Sequence, residues 1–281
     1  MKRVLLTGST GFIGRNIKSI LEKEVVLFSP NRTELNLKDE QSVRDYINTN
    51  KIDVVIHSAN PNPVKNQLDE ASLFFEDSLH CFMNLFKARD LYEKMFFLGS
   101  GAEYNKQLDI CSISESDCFR SIPNDSYGFA KFIMNTICHY DEKLVNLRIF
   151  ACYGPTDHES KFITHCIHCC MNNQDITIRQ DCYFDYMHVF DLGKILIRLI
   201  NKYPKDCDYN VCSGTRKRLY EIANIVKKEM KSDSNIIVLS DGMNKEYTGN
   251  NEKLIQELGK YDFISLEDGI RLQIDSEKVV K

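Results

Sequence analysis

Three side chains in this sequence have the types and spacing to move a proton at a carbinol or carbonyl carbon. Tyr127 and Lys131 stand four residues apart in SYGFAK, on one face if the segment is helical. A free phenol titrates at about 10 and is a poor acid–base group at neutral pH. A nearby ammonium stabilises the phenolate and lowers that value. The third group, Ser100, ends the apolar run of MFFLGS, so its hydroxyl is placed at the carboxyl edge of a predicted strand. Its neighbours Gly101 and Ala102 bring no reactive group of their own. A Tyr-x-x-x-Lys pair alone arises often by chance; the strand-end serine and a glycine motif near the start of the chain make it far more specific.

That motif is TGSTGFIG, Thr7 to Gly14, directly after the apolar run VLLT. Gly8, Gly11 and Gly14 permit a tight turn, close approach of backbone to a pyrophosphate, and close packing of the helix that follows. The helix start adds free N–H groups and a positive dipole end. Thr10, Phe12 and Ile13 lie between these glycines and share the dinucleotide site. An acid that binds the ribose of NAD is expected about 20 residues on, at the end of the second strand. FSPNR stands there, without an acid. Arg32, helped by Ser29 or Asn31, suits a 2′-phosphate and so favours NADP(H) over NAD(H), which stays possible; the alternative is a solvated loop charge. Asn36 and Leu37 just beyond are further cofactor candidates.

The elements that position these groups follow from periodicity. VLLT (4–7), VVLF (25–28), DVVIH (53–57), MFFLGS (95–100) and VNLRIF (145–150) read as strands. Helical patterns separate them, from GRNIKSILEK to SYGFAKFIMNTICHYDEK. Strands apolar on both faces and alternating with helices predict a parallel sheet covered on both sides, an α/β doubly wound fold of Rossmann type. Beyond Pro155 the rhythm changes to a smaller α/β lobe. The division expected is 1–155 for the dinucleotide-binding core and 156–281 for a substrate lobe, with part of 183–203 returning to the core. One further short helix is expected near NEKLIQELG. The 281 residues are 43% hydrophobic, ample for a core of this kind. A net charge of −4 and no basic stripe argue against nucleic acid. No signal-peptide pattern and no apolar run approaching about 18 residues occur, so no membrane partner and a cytoplasmic location are expected. Eleven scattered cysteines then read as reduced thiols. The cluster HCIHCC (165–170) offers zinc-type ligands, but its cysteines share a helical face, and packing is favoured over metal.

These motifs resemble the extended branch of the short-chain dehydrogenase/reductase superfamily, the nucleotide-sugar epimerases, dehydratases and ketoreductases. The resemblance spans nearly the whole chain and includes IHSAN, LGSGAEY, LRIFACYGP, YFDYMHVFDLG and YNVCSG. NRTELNLKD is similar to a segment of GDP-fucose synthases, and the stretch from KFITHCI to YMHVFDL is similar to CDP-hexose 4-ketoreductases of surface-polysaccharide pathways. The resemblance implies that Tyr127 is the acid–base residue, that Lys131 tunes it and anchors the ribose, and that Ser100 hydrogen-bonds the reacting oxygen. It implies that Gly8, Gly11 and Gly14 seat the pyrophosphate and that Ala59 and Asn60 lie against the cofactor. Sugar 4,6-dehydratases carry an Asp-Glu pair after the hydroxyl residue, and GDP-fucose synthases carry a cysteine where Ala102 stands. Both are absent, which leaves hydride and proton transfer at one carbon. Glu103 is either a ligand of a sugar hydroxyl or a turn residue. His165 stands at a spacing from YGP similar to that of a catalytic histidine, with packing or substrate contact favoured. Phe184 replaces an arginine that contacts the diphosphate in relatives; Lys161 or Arg179 could compensate, and Tyr186 either lines the sugar pocket or packs in the lobe. The favoured function is an NADPH-dependent 4-ketoreductase of a nucleotide-activated deoxy sugar. An NAD-dependent 4-epimerase and a non-catalytic dinucleotide-binding regulator are the alternatives. A homodimer is expected through the apolar helices at 71–92 and 127–139.

Overall fold

The computed structural model describes residues 1–61 and 71–279. The strands β1 (Arg3–Thr7), β2 (Val26–Phe28), β3 (Val54–His57), β4 (Lys94–Ser100) and β6 (Leu144–Ile149) form a sheet completed by β11 (Asp208–Val211). Its order is β11-β6-β4-β3-β1-β2, and every pairing is parallel. The chain begins at β1, steps to β2 and then crosses to β3, so the switch point lies between β1 and β3. A parallel sheet binds ligands beyond its carboxyl ends at such a point.

Alternation of side chains assigns the two faces. Val4, Leu6, Val54 and Ile56 pack on α1 (Phe12–Leu21) and α6 (Val189–Asn201) through Ile17, Leu21, Ile195 and Leu199. Leu5, Val55 and Phe97 pack on the other face against α2 (Glu40–Thr49), α3 (Ala71–Lys87) and α4 (Ser126–Cys138), through Ile47, Phe82, Leu85 and Met134. Burial on both faces is why these strands read as continuous apolar runs. The α4 helix starts at Asp125, whose carboxylate accepts the Gly128 N–H at 2.9 Å. The long α3 ends at Lys87 and continues only as a single 3₁₀ turn, Arg89–Leu91.

The second lobe is built on the parallel pair β8 (Ile176–Asp181) and β13 (Ile236–Met243). Around it stand α5 (Phe162–Met171), α7 (Leu219–Met230) and α9 (Leu266–Val279). Cys166, Cys169 and Cys170 are buried in this core, packed as small apolar groups. The α9 helix was not expected from the pattern at 266–279. The chain also re-enters the main sheet beyond 183–203: β11 pairs with β6, and α8 (Glu252–Leu258) packs on β11.

A four-stranded sheet joins the two halves in the order β12-β9-β14-β5. Its strands are β5 (Ile110–Ile113), β9 (Tyr183–Phe184), β12 (Lys217–Arg218) and β14 (Tyr247–Gly249). A pair of β7 (Ala151–Tyr153) and β10 (Tyr186–His188) continues the link. Among the described residues, no helix is long and apolar enough to cross a membrane.

Candidate active site

A cleft of about 490 Å³ opens at the carboxyl ends of β1, β3 and β4. It is lined by Gly8, Thr10, Gly11, Phe12, Ile13, Arg32, Asn36, Leu37, Ala59, Asn60, Tyr127 and Lys131, together with Lys38, Asp77 and Cys81. Every dinucleotide candidate from the sequence therefore faces one space, except Gly14, which supports it from behind. Gly8 has φ +71°, and a Cβ there would lie 2.6 Å from the Ala59 Cα. A Cβ on Gly14 would overlap the Gly8 carbonyl oxygen. These two positions are glycine for steric reasons, whereas a Cβ on Gly11 would meet nothing closer than 3.4 Å. The cleft wall is pinned by Thr7 Oγ1, which lies 2.9 Å from His57 Nδ1 and accepts the Ala59 N–H at 3.2 Å. At the far end Arg32 donates to the Pro61 carbonyl at 3.4 Å, and Lys38 pairs with Asp77 at 2.6 Å. Lys38 is a second cation at this end that the sequence pattern did not single out.

At the other end Ser100, Tyr127 and Lys131 converge. Lys131 is buried, donates to the Leu98 carbonyl at 2.8 Å, and lies 4.4 Å from the centre of the Phe97 ring and 6.0 Å from that of Tyr127. Burial lowers its pKa to about 8, with the Glu103 carboxylate opposing. The expected lowering of the Tyr127 phenol is not what this arrangement gives. Burial raises it, with the Ser100 hydrogen bond opposing and the Glu103 and Asp125 charges adding to the rise. Desolvation of the buried phenol decides the sign. His57, beneath, is pushed down to about 3 by burial and then by the Lys131 charge.

Glu103 does not face the cleft. It is fully buried; Oε1 accepts the Ser100 N–H at 2.9 Å, and Oε2 accepts Asn146 Nδ2 at 2.8 Å and Arg148 Nε at 2.7 Å. Arg148 is also fully buried and reaches Asp208 at 3.0 Å. Of the two roles open to Glu103, the structure gives it the turn, since its carboxylate is fully buried and turned to Ser100, Asn146 and Arg148. Lys161 and Arg179 are exposed and lie outside the cleft lining. Tyr186 packs edge-on against Tyr153 at 5.9 Å and stacks on Phe184 at 5.6 Å. His165 touches Cys169 Sγ at 3.6 Å within its own helix. Asp185, in the same FDY segment, accepts the Ser213 and Gly214 N–H groups at 2.9 and 2.8 Å and so ties β9 to the loop after β11.

The residue that sequence reasoning missed is Tyr247. Its ring lies 5.2 Å from Phe150 and 5.4 Å from Phe184, and its hydroxyl reaches Ser100. A Cβ on Gly101 would overlap that hydroxyl, so the space above Gly101 is filled by this phenol. Nothing in KEYTGNN marks it locally.

A model of the NAD dependent epimerase/dehydratase family matches residues 4–212. The chain belongs to this family. Among its relatives is the CDP-abequose synthase of Salmonella muenchen, 23% identical over 306 residues, covering 99% of this chain and 98% of the relative. The GDP-mannoheptose C4 reductase of Campylobacter jejuni, solved with NADP bound, superposes with a TM-score of 0.83 at 18% identity, over 99% of this chain and 98% of that one. The UDP-glucose 4-epimerase of Thermus thermophilus, solved with NAD, gives 0.81 at 21%, over 98% and 99%. The fold shared with these two structures extends through the second lobe.

Proposed function

We propose that this family member is an NADPH-dependent reductase of the 4-keto group of a nucleotide-linked deoxy sugar, in the supply of surface-polysaccharide precursors. The observation that carries the reading is the convergence of Ser100, Tyr127 and Lys131 beside Gly101 and Ala102, with the nearest carboxylate, Glu103, buried and engaged. That set serves proton delivery at one carbonyl. Elimination needs a carboxylate acid and base in reach of the sugar carbons, and neither 101 nor 102 supplies one.

The cleft fits a dinucleotide. Gly8 and Gly14 leave a cradle that side chains would fill, and the first turn of α1 presents its N–H groups there. Arg32 and Lys38 put two cations where a 2′-phosphate would be recognised, with no acid at the end of β2 to select a free ribose hydroxyl. Bound NADPH supplies the hydride. Tyr127 delivers the proton to the carbonyl oxygen, Ser100 steadies Tyr127, and the Lys131 ammonium offsets the phenolate charge and holds the ribose. Phe184 and Tyr247 close the sugar side. A homodimer through α3 and α4 covers the apolar outer surface of those helices.

The test is a screen of CDP-, GDP-, UDP- and dTDP-linked 4-keto-6-deoxy sugars, following NADPH oxidation and product stereochemistry. Reduction of at least one is expected. If none is reduced and the protein with bound NAD interconverts two 4-epimers instead, the epimerase reading replaces this one. Binding of dinucleotide with neither activity would indicate the regulatory reading.

A further inference from the structure

Among the described residues that line the cofactor cleft, Asp77 is the only acid, and it comes from α3 rather than from the end of β2. Its side chain is partly buried and lies 2.6 Å from the Lys38 ammonium. Arg32 lines the same end of the cleft. A carboxylate in a dinucleotide cleft suits a free ribose hydroxyl, whereas cations suit a 2′-phosphate. Both signs of charge therefore stand where cofactors with and without that phosphate differ.

The fold builds this juxtaposition. Asp77, Cys81 and Asn84 recur at helical spacing on α3 and share the face turned to the segment after β2. Asn84 is buried, and its Nδ2 donates to the Leu37 carbonyl at 2.9 Å. Leu35 and Leu37 pack in the core that holds Phe82 and Leu85 of α3. The Asn36 side chain accepts the Lys38 N–H at 3.1 Å. The backbone leading to Lys38 is thus held against α3, and its stem starts beside Asp77. A separate observation places the same charges together. The Cys81 thiol also lines the cleft; burial first and then the Asp77 charge raise its pKa, with Lys38 and Arg32 opposing. All three charged side chains act on one point.

Paired with Asp77, the charge of Lys38 is already offset. A 2′-phosphate that draws on Lys38 has to share it with this carboxylate. The phosphate carries roughly two negative charges, so two anions meet across one ammonium, well inside a Debye length of about 8 Å. Orientation of Lys38 by Asp77 acts the other way, but it is the smaller effect. Lys38 is about half exposed on a flexible four-carbon stem, and fixing such a chain in one geometry gains little. Competition between the two anions therefore decides the sign.

We propose that Asp77 determines how strongly the cleft prefers NADPH: its carboxylate competes with the 2′-phosphate for Lys38 and holds the preference below what Arg32 and Lys38 alone would give. This rests on the NADPH reading above and on no feature of the sugar. NADH carries a hydroxyl in place of the phosphate and makes no demand on the Lys38 charge, so its affinity is nearly independent of Asp77. The acid that is missing from the end of β2 thus has a counterpart on α3, where it moderates the choice of cofactor. Asparagine at 77 keeps the size of the side chain and removes its charge, which leaves Lys38 to the phosphate.

The experiment measures dissociation constants by calorimetry for NADPH, NADH, 2′,5′-ADP and 5′-AMP. It uses the full chain as wild type, Asp77→Asn, Lys38→Met and the double variant, with melting temperature as the folding control. Asp77→Asn is expected to bind NADPH and 2′,5′-ADP about three- to tenfold more tightly, the scale of a partly exposed charge interaction. NADH and 5′-AMP change by less than about twofold, since neither carries the phosphate. Lys38→Met weakens the phosphorylated pair, and in its background Asp77→Asn gains less than in the wild type. Asp77→Ser, which also lacks the charge, shifts the affinities in the same direction as Asp77→Asn. Unchanged or weaker NADPH binding in Asp77→Asn overturns the proposal, the weaker case making Asp77 an orienter of Lys38. An equal gain with and without Lys38 overturns the competition. A loss confined to NADH and 5′-AMP also overturns it, making Asp77 a ribose ligand. Each of these leaves the NADPH reading intact. If Arg32→Ala costs NADPH and NADH alike and the wild type does not prefer 2′,5′-ADP to 5′-AMP, the NADPH reading and this proposal fall together.

Discussion

Replacing Glu103 with glutamine tests whether the carboxylate beneath Ser100 holds the site together or binds substrate. Glu103 and Arg148 are both fully buried and 2.7 Å apart. Burial raises the Glu103 pKa, and the Arg148 charge opposes it, followed by the Ser100 N–H. Three donors converge on the two carboxylate oxygens, from Ser100, Asn146 and Arg148. Glutamine offers one oxygen and one NH₂, so in either orientation a donor faces a donor. If the oxygen faces Arg148 and Asn146, the Ser100 amide is orphaned, at a cost of about 1–3 kcal/mol. The guanidinium also loses its counter-charge on that side and keeps only Asp208. Breaking a buried pair of this kind costs about 3–5 kcal/mol in all. Urea unfolding followed by circular dichroism reads the change as a drop in midpoint of about 1–2 M, for a slope near the upper end of the usual range. Turnover falls with stability, because the orphaned amide belongs to Ser100. Combined replacement by Glu103→Leu and Arg148→Met recovers part of the stability, since no guanidinium is left without its counter-charge, while the Ser100 amide stays orphaned. The reasoning fails if Glu103→Gln unfolds at the wild-type midpoint while the KM for the sugar rises, because that pattern belongs to a substrate ligand.

Three further outcomes follow from the site and its surroundings. Tyr127→Phe lowers turnover by about 10²–10⁴ with little change in NADPH affinity; steady-state kinetics and fluorescence titration check this, and retained turnover removes Tyr127 as the proton donor. Arg32→Ala weakens NADPH binding by about 1–3 kcal/mol and leaves NADH binding unchanged; equal losses for both cofactors, by calorimetry, contradict recognition of a 2′-phosphate. His139 lies 3.6 Å from Asp208 and 3.2 Å from Cys207 Sγ, and its hydrogen bonds, to Asp208 first and then Cys207, raise its pKa to about 9. A raised pKa gives stability that is complete below the unfolded value of about 6.5. That stability is lost as pH rises toward 9, so His139→Gln flattens the fall in urea midpoint across this window, and an unaltered slope refutes the linkage.

What the sequence made legible was local. The strands of the main sheet are apolar on both faces because helices cover both, and that condition writes itself into VLLT and DVVIH as unbroken runs. Gly8 and Gly14 are demanded by atoms only a few residues or one strand away, and Tyr127 and Lys131 share a helix turn. The parts that escaped depend on pairs distant in the chain. Glu103 stays open between a sugar-hydroxyl ligand and a turn residue until Arg148 arrives from β6. Tyr247 carries no local signal and gains its place only when β14 is laid between β9 and β5. The α9 helix has Gly269 near its start and a mostly polar face, so its pattern is weak. It stands because Ile270 and Ile274 enter the lobe core, Gln273 donates to Thr164 at 2.8 Å, and Gly269 leaves room for the Tyr153 hydroxyl.

The same contrast explains why the reaction is easier to read than the substrate. Delivering a proton beside a dinucleotide requires a phenol, a hydroxyl and an ammonium at fixed separations, and one helix and one strand end supply them. Choosing a sugar requires only a surface of the right shape, and many residue types can form it. Under the proposed function that surface lies on the small sheet in which β14 of the second half is laid between β5 of the first half and β9. Asp185 locks β9 to the turn after β11 through the Ser213 and Gly214 amides. Phe184 pairs with Tyr247 and meets its ring, and Tyr247 reaches Ser100 at the end of β4. An aromatic at 184 and a phenol at 247 make this wall apolar, with one hydroxyl directed at the reaction centre. Contact with a deoxygenated sugar carbon costs less on such a wall than contact with a hydroxymethyl group, which would leave a polar group without a partner. Under the proposed function such a wall would suit a deoxy sugar, through side chains whose meaning appears only when the two halves of the chain are folded together.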